Sequence, residues 1–378
     1  MENNHNALFI TPPNSLKANG GVTEGGQLCS REFFDLLVSV GFNISIFNVD
    51  YTKNLLKRIR IKIGIANYEF IDELKYKNSL IEKIVKQNIK WVFINMASLL
   101  RLARPLKEHF GDKINIYLLS HGNDSGDYLH LQTKPIKSRN YFRKQLNIFR
   151  LGKLIFTESL YRNNWLDGVL AVSETERQIE NWFGAKKAIF VPRIITNNPI
   201  ALKPHSKRIG FVGRLDHPPN YQGFCILLDE LIKKQSLNIN LRFVGAPVDW
   251  GKKIASKYSF VEYIGILSDS ELLEEVKTWR LFLNPVFWYS TGVTTKLGWA
   301  LSLGLPIVST PAGNRGYVWN KGIILTAANP YEMASIIELY LTNDELYNNY
   351  INQLNDVRNN SISKEEITQF IKQQLNIT

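Results

Sequence analysis

Two series of short, β-branched apolar runs, each run followed by a longer segment of helical period, constrain what this chain can fold into. The first series comprises "ALFIT" (residues 7 to 11), "NISIFNV" (43 to 49), "WVFINMA" (91 to 97), "NIYLLSH" (115 to 121), "GVLAVS" (168 to 173) and "AIFVP" (188 to 192). The pattern then breaks at "RIITNNPIALKPHSK" (193 to 207), whose two prolines and paired asparagines read as a linker. It restarts with "RIGFVG" (208 to 213), "NLRFVGAP" (240 to 247), "FVEYIGI" (260 to 266), "LFLNPV" (281 to 286), "PIVST" (306 to 310) and "GIILTA" (322 to 327). Strands that alternate with helices in this way predict parallel sheets covered on both faces. The expected fold is α/β, with two doubly wound Rossmann-like domains, 1–200 and 206–360, facing across a cleft. A final helix within 361–378 is expected to pack back toward the N-terminal domain.

A length of 378 residues agrees with two cores, and 44% hydrophobic residues suffice to fill them. No run approaches the ~20 apolar residues of a membrane span, and the start "MENNHNALFITPP" lacks a basic segment followed by an apolar one. The expected location is cytoplasmic. Cys29 and Cys225 fall in separate predicted domains on segments of helical spacing, which argues for buried, inert thiols rather than a disulfide or metal site.

The net charge of +12 is concentrated in two stretches. "KNLLKRIRIK" (53 to 62) carries Lys53, Lys57, Arg58, Arg60 and Lys62 without an acid. "KPIKSRNYFRKQLNIFRLGK" (134 to 153) carries Lys134, Lys137, Arg139, Arg143, Lys144, Arg150 and Lys153, again without one. The interleaved Leu, Ile, Phe and Tyr suit an anionic membrane surface or an anionic acceptor. A solvated basic face with some core residues explains the same pattern. Nucleic acid ranks third, because no nucleic-acid motif accompanies the charges.

Three glycine-containing turns follow strands and can present backbone N–H groups to an anion. The first contains Gly20 and Gly21 ahead of a helix starting near Thr23 and Glu24. The second is "FVGRLDHPPN", with Arg214 after the strand and Asn220 as the expected helix N-cap. The third is "FWYSTGVTTK", which leads into a helix starting near Val293 and Thr294 with Lys296 in its first turn. A lysine is electrostatically misplaced at a helix start, which is already partially positive. A bound phosphate reverses that argument, since the helix start and Lys296 would then act together, and Arg214 adds a fork of donors. Each charge-assisted hydrogen bond contributes about 1.5 to 3 kcal/mol. The bland alternatives are Lys296 reaching out to solvent and Arg214 pairing with Asp216.

These motifs resemble the nucleotide-sugar domain of GT-B glycosyltransferases, specifically the large retaining family that includes lipopolysaccharide and capsule enzymes. "RIGFVGRLDHPPN", "LRFVGAP", "VEYIGILSDSELLEEV", "PVFWYSTGVTTKLGWALSLGLPIVSTPAGNRGY" and "NPYEMASIIELYL" carry the resemblance over most of residues 208 to 341. The first half is similar more weakly, through Gly20 and Gly21, "LLSHG" and "GVLAVSETERQIENWFGAKKAIFVPRII". The resemblance implies a sugar transferred from a nucleotide diphosphate to a saccharide or lipid-linked acceptor, with retention of configuration, in cell-surface polysaccharide synthesis. It assigns the donor diphosphate to Arg214 and Lys296, the distal phosphate to the backbone of Gly292, Val293 and Thr294, and the nucleobase to the turn at Gly265 and Ile266. His121 matches the family's histidine near the transferred sugar, although a histidine at a strand end is also a common structural feature.

The chain departs from that family in its carboxylates. Family members carry one glutamate before the phosphate turn and another eight residues later; Thr291 and Trp299 stand at those positions. Trp299 then either packs on the nucleoside or fills core, and a dTDP-sugar becomes a donor worth testing beside a UDP-sugar. The lysine usual five residues past the arginine is replaced by Pro219. No Asp-x-Asp pair occurs, so neither metal nor cofactor is expected. Asp124 and Asp127 in "HGNDSGDYLH" are acceptor-side candidates, either as the base of an inverting enzyme or as residues that order a loop. A catalytically silent subunit of the same fold, binding a partner transferase or a glycan, and a sugar-phosphate epimerase of similar build are the rival readings.

Overall fold

The computed structural model describes residues 5–16, 25–64, 68–133, 141–234 and 238–377. All twelve expected strands are present, and most are shorter than their apolar runs because the last residues of each run turn into loops. The N-terminal lobe contains β1 Asn6–Thr11, α1 Gly25–Val40, β2 Asn43–Asn48, α2 Leu55–Lys62, α3 Glu73–Lys86, β3 Trp91–Asn95, α4 Ala103–Phe110, β4 Asn115–Ser120, α5 Asp124–Thr133, α6 Tyr141–Asn164, β5 Gly168–Ala171, α7 Glu174–Trp182 and β6 Ala188–Phe190. The C-terminal lobe contains β7 Arg208–Val212, α8 Pro218–Leu231, β8 Asn240–Val244, α9 Val248–Lys257, β9 Val261–Gly265, α10 Asp269–Val276, β10 Leu281–Leu283, α11 Thr295–Leu303, β11 Ile307–Ser309, β12 Leu325–Thr326, α12 Pro330–Thr342 and α13 Asp344–Asn359. The last helix, α14, spans Lys364–Leu375.

Both sheets are six-stranded, and every pairing within them is parallel. Their strand orders are β2-β1-β3-β4-β5-β6 and β12-β11-β10-β7-β8-β9. Direction therefore reverses between β1 and β3 in the first lobe and between β7 and β10 in the second, and at such switch points a crevice opens beyond the carboxyl ends of the strands. Each sheet is buried on both faces, as its apolar runs require. Leu8, Ile10, Val92 and Ile94 face one way, and Ala7, Phe9, Phe93 and Leu119 face the other.

The chain then returns. Ile367, Ile371, Leu375 and Ile377 of the α14 region join the N-terminal core against Phe33, Leu37 and Val40 of α1. Ser363 and Glu366 form the capping box at its start. Residues 193 to 207 run along the C-terminal lobe, with Asn198 N–H donating to Ser302 O and Lys203 N–H to Lys277 O. Cys29 is buried and Cys225 half-buried, both as free thiols. Among the described residues no helix is long and apolar enough to cross a membrane.

Candidate active site

Several helix starts meet where the two lobes touch. A Cβ built on Gly25, the first residue of α1, would stand 3.7 Å from Thr295 Cγ2, at the first residue of α11. The turn before α5 abuts the turn before α11: a Cβ on Gly122 would run into Gly292 N, and one on Gly292 would lie 2.6 Å from His121 O. Gly122 and Gly292 have φ of +132° and +77°, so glycine is required at both for backbone geometry as well as for space. Each helix start carries roughly half a positive charge. Gathered at one gap, they favour an anion between them.

Lys296 adds a full charge to this gap. Thr294 caps α11 by accepting from Lys296 N–H at 3.3 Å, and the Lys296 ammonium donates to Asn220 Oδ1 at 2.9 Å. It lies 5.9 Å from the centre of the Phe211 ring, and burial lowers it from 10.5 to about 8. The lysine therefore does not reach out to solvent. Asn220 is not the N-cap of α8. Pro218 and Pro219 fix the first turn, His217 takes the cap position, and Asn220 lies inside the helix, where its amide donates to Arg214 O at 3.0 Å. Asn220 thus joins the two turns that the sequence pointed to separately.

The Arg214 guanidinium is engaged differently from the expectation that it flanks Lys296 on an anion. It donates to both oxygens of Asp216, at 3.0 and 2.6 Å, with 63% of its side chain exposed. Because Asp216 sits two residues along the same turn, pairing requires no long-range organisation. Such an exposed pair is worth about 0 to 1 kcal/mol and is easily exchanged for a bound anion.

On the N-terminal side, His121 stands at the end of β4 with Nε2 at 2.8 Å from Asn95 Oδ1. The Asn95 amide nitrogen donates to Thr11 Oγ1 and Ser30 Oγ, which leaves its oxygen toward the ring. Burial holds His121 down at about 4, so the imidazole is neutral, Nε2 carries the proton, and Nδ1 is its acceptor. Asp127 Oδ1 accepts from Thr291 N–H at 3.1 Å, which places a carboxylate on the turn assigned to phosphate. Asp124 is raised to about 6, chiefly by burial and secondarily by the Glu158 charge. Glu158 is fully buried and accepts from Tyr68 OH at 2.5 Å, Asn123 Nδ2 at 3.2 Å and Ser125 N–H at 3.2 Å. These bonds tie the β4–α5 turn to α6. Arg162 of the same helix forks onto Glu180 at 2.5 and 2.8 Å.

A seam of three further residues escaped the sequence reading. Arg315 donates to Ser290 O at 2.9 Å and Gly292 O at 3.1 Å and lies 4.4 Å from the centre of the Tyr289 ring, so it fixes both ends of the turn before α11. Across the lobes, Asn123 N–H donates to Tyr289 OH at 3.1 Å, and that hydroxyl donates to Glu176 Oε1 at 3.4 Å. Glu176 is buried and raised to about 7, chiefly by desolvation.

The remaining expected positions lie in the C-terminal core, at the end of β9 or outside the described residues. Trp299 packs in the C-terminal core with its ring 5.8 Å from Phe282, which is the core-filling side of the two alternatives. Gly265 ends β9 with φ +103°, and Ile266 is 61% exposed beside it. Gly20, Gly21, Thr23 and Glu24 lie outside the described residues, as do Lys134, Lys137 and Arg139.

Residues 206–343, which contain Lys296, Arg214, Asn220 and Arg315, match the family model of glycosyl transferases group 1. The match lies within the C-terminal lobe. The whole chain has the GT-B fold. It is similar to the sucrose-phosphate synthase of Thermosynechococcus elongatus, with TM-score 0.66, 14% identity and 98% of each chain covered. It is also similar to Anabaena Alr3699/HepE, solved in complex with UDP and glucose, with TM-score 0.60, 14% identity and coverage of 99% of this chain and 100% of that one. A glycosyltransferase from Rickettsia africae ESF-5 gives TM-score 0.60 at 14% identity, with both chains fully covered. At these identities the likeness shows the fold alone. No curated protein sequence matches the chain. In the C-terminal lobe, the matched region and the gathering of helix starts coincide at the turn before α11.

Proposed function

We propose that this protein transfers a sugar from a nucleotide diphosphate donor to a saccharide or lipid-linked acceptor, with retention of configuration and without a metal ion, in the cytoplasm and in the service of cell-surface polysaccharide synthesis. The observation that carries this reading is the junction of the α1 and α11 starts beside the part-buried Lys296 ammonium. It suits an anion with at least two charges. As the bond from the sugar carbon to the diphosphate breaks, negative charge grows on the leaving phosphate. Lys296, the N–H groups of Gly292, Val293 and Thr294, and Arg214 once released from Asp216 stabilise that charge. The acceptor hydroxyl forms the new bond on the same face, and its proton passes to an oxygen of the leaving phosphate. His121, neutral and anchored by Asn95, borders the transferred sugar. Cations supplied by the chain do the electrostatic work that a divalent ion would otherwise do. Asp127 is engaged by Thr291 N–H, and Asp124 is held beside Glu158, so the loop-ordering role suits both better than that of an inverting base.

Asp127 and Asp216 also favour a second reading, that of a silent subunit in which the Thr291 N–H and the Arg214 guanidinium are satisfied internally. Calorimetric titration with UDP, dTDP, GDP and CMP separates the two. UDP is the first choice, because the similar Anabaena protein was solved with it. A transferase binds one of these nucleotides with a Kd on the order of micromolar, and absence of heat with all four overturns the transfer reading.

A further inference from the structure

The N-terminal lobe leaves an apolar stripe exposed on α6. Phe142, Phe149 and Phe156 recur every seven residues and so share one helix face. They are 79%, 57% and 68% exposed, and Leu146 on the same face is 47% exposed. Large phenylalanines in register on a helix surface mark a site that something covers. Beside the stripe stand Arg143 and Lys144, which form no ion pair among the described residues, and the sequence has no acid between Asp127 and Glu158.

A second surface of the same kind adjoins it. The Arg150 side chain lies over Gly64, at the end of α2, and its guanidinium sits 4.7 Å from the centre of the Tyr128 ring. In α2, Leu55 and Leu56 are 69% and 72% exposed, and Ile59 is half-exposed. An open cavity of about 530 Å³ between this helix and Phe70 has Arg58 and Lys62 among its lining residues. Lys57 and Arg60 approach Asp72 and Glu69, whereas Arg58 and Lys62 form no ion pair among the described residues.

We propose that α2 and the first half of α6 form one docking face for a membrane carrying anionic phospholipid, with the phenylalanines at the acyl boundary and Arg58, Lys62, Arg143 and Lys144 on the headgroups. Charge decides between this occupant and a second copy of the chain. Pairing two such faces would set cations against cations, whereas an anionic surface attracts each Lys or Arg. The stripe and the active-site loop belong to one rigid element: α6 is 24 residues, roughly 36 Å, and its far half holds the β4–α5 turn through Glu158. A bilayer under this face therefore lies at a fixed distance from His121. The inference goes beyond the transfer reaction and does not depend on it.

The test is cosedimentation of the full chain with vesicles of phosphatidylcholine alone or mixed with phosphatidylglycerol, at low and high salt, with light scattering of the free protein. The chain should pellet only with the mixed vesicles, and less so at high salt. Arg143→Glu with Lys144→Glu should lower partitioning on the order of tenfold or more, and Phe149→Ser with Phe156→Ser should lower it to a similar extent. Equal binding to neutral vesicles, binding to neither, unaltered binding by both double variants, or a dimer that the serine variant dissolves would each overturn the proposal. Nucleotide titration of the same variants keeps the two readings distinct. Heat of nucleotide binding without vesicle binding removes the docking face alone, and the converse removes the transfer reading alone.

Discussion

In the C-terminal lobe the turns that open helices toward the gap carry Arg214 and Lys296, whereas the turn facing them from the N-terminal lobe carries Asp124 and Asp127. Both lobes are six-stranded doubly wound sheets, and both place their turns beyond the carboxyl ends of the strands. They differ in how the charges are satisfied. Lys296 has a neutral partner, Asn220, and Arg214 an exposed acid on its own turn. In the N-terminal lobe, Thr291 N–H fixes Asp127, and Glu158 beside Asp124 is fixed by Tyr68 OH, Asn123 Nδ2 and Ser125 N–H. One lobe keeps its charges available for a ligand, and the other uses them to shape a loop.

The sharpest way to break this contrast is to remove the available charge. Lys296→Ala should lower kcat/KM by about 10² to 10³-fold, the loss typical of one group that stabilises transition-state charge, with an unchanged circular dichroism spectrum. Arg214→Ala should cost about 10- to 100-fold, one charge-assisted contact. A pH arm carries its own sign. Lys296 is held at about 8, so the free protein loses this cation as pH rises through that value, and nucleotide affinity should weaken above it. Full activity in both variants would remove the anion site from the mechanism.

Closure of the lobes is the next link to test. Gly122→Ala drives a Cβ into Gly292 N and to 2.8 Å from Thr291 Cγ2. A displacement of about 1 Å at a reacting centre is enough to lose about 10²-fold in turnover. The clash falls on Gly292 N, whose N–H is assigned to the phosphate, so nucleotide affinity measured by calorimetry should weaken too, but by less than turnover does. An equal loss of affinity and turnover would mean that the turn itself, rather than closure, was damaged.

What the sequence disclosed follows the same division. Strand runs were legible because a sheet buried on both faces needs continuous apolar residues, and Lys296 was legible because a cation opposes the polarity of a helix start. Arg315, Tyr289 and Glu176 were not. Glu176 is the third residue of α7, where an acid is the ordinary complement to the helix dipole, and nothing local says that its carboxyl meets Tyr289 from 113 positions away. Arg315 lies in the quoted "AGNRGY", but its targets are carbonyl oxygens, which have no sequence signature. Asn220 was misplaced because two prolines moved the start of α8 earlier than its first polar capping residue suggested. The phenylalanines of α6 within 134 to 153 fitted both a membrane-facing surface and a basic face with some core residues, and only their surroundings in the fold separate the two.

The smallest expected effect concerns Glu176, and it tests whether the N-terminal acids serve structure rather than chemistry. Its carboxyl rises from 4.5 to about 7 in the folded chain, first through burial, with the Arg315 charge opposing the shift. Between those values the folded protein holds a proton that the unfolded chain has released. Its contribution to stability is therefore full below about 4.5 and is lost as pH rises through about 7. Glu176→Gln keeps the neutral shape at every pH. Relative to the native chain, its melting temperature should accordingly rise between pH 5 and pH 8, by about 1 to 3 °C for a protein of this length. Because Glu176 reaches the phosphate turn only through Tyr289 and Arg315, kcat/KM should move less than about threefold. Parallel melting profiles in the two proteins would show that the carboxylate stays ionised in the fold. A large kinetic defect would place this N-terminal acid with Lys296 in the chemistry, and the contrast between the lobes would fail.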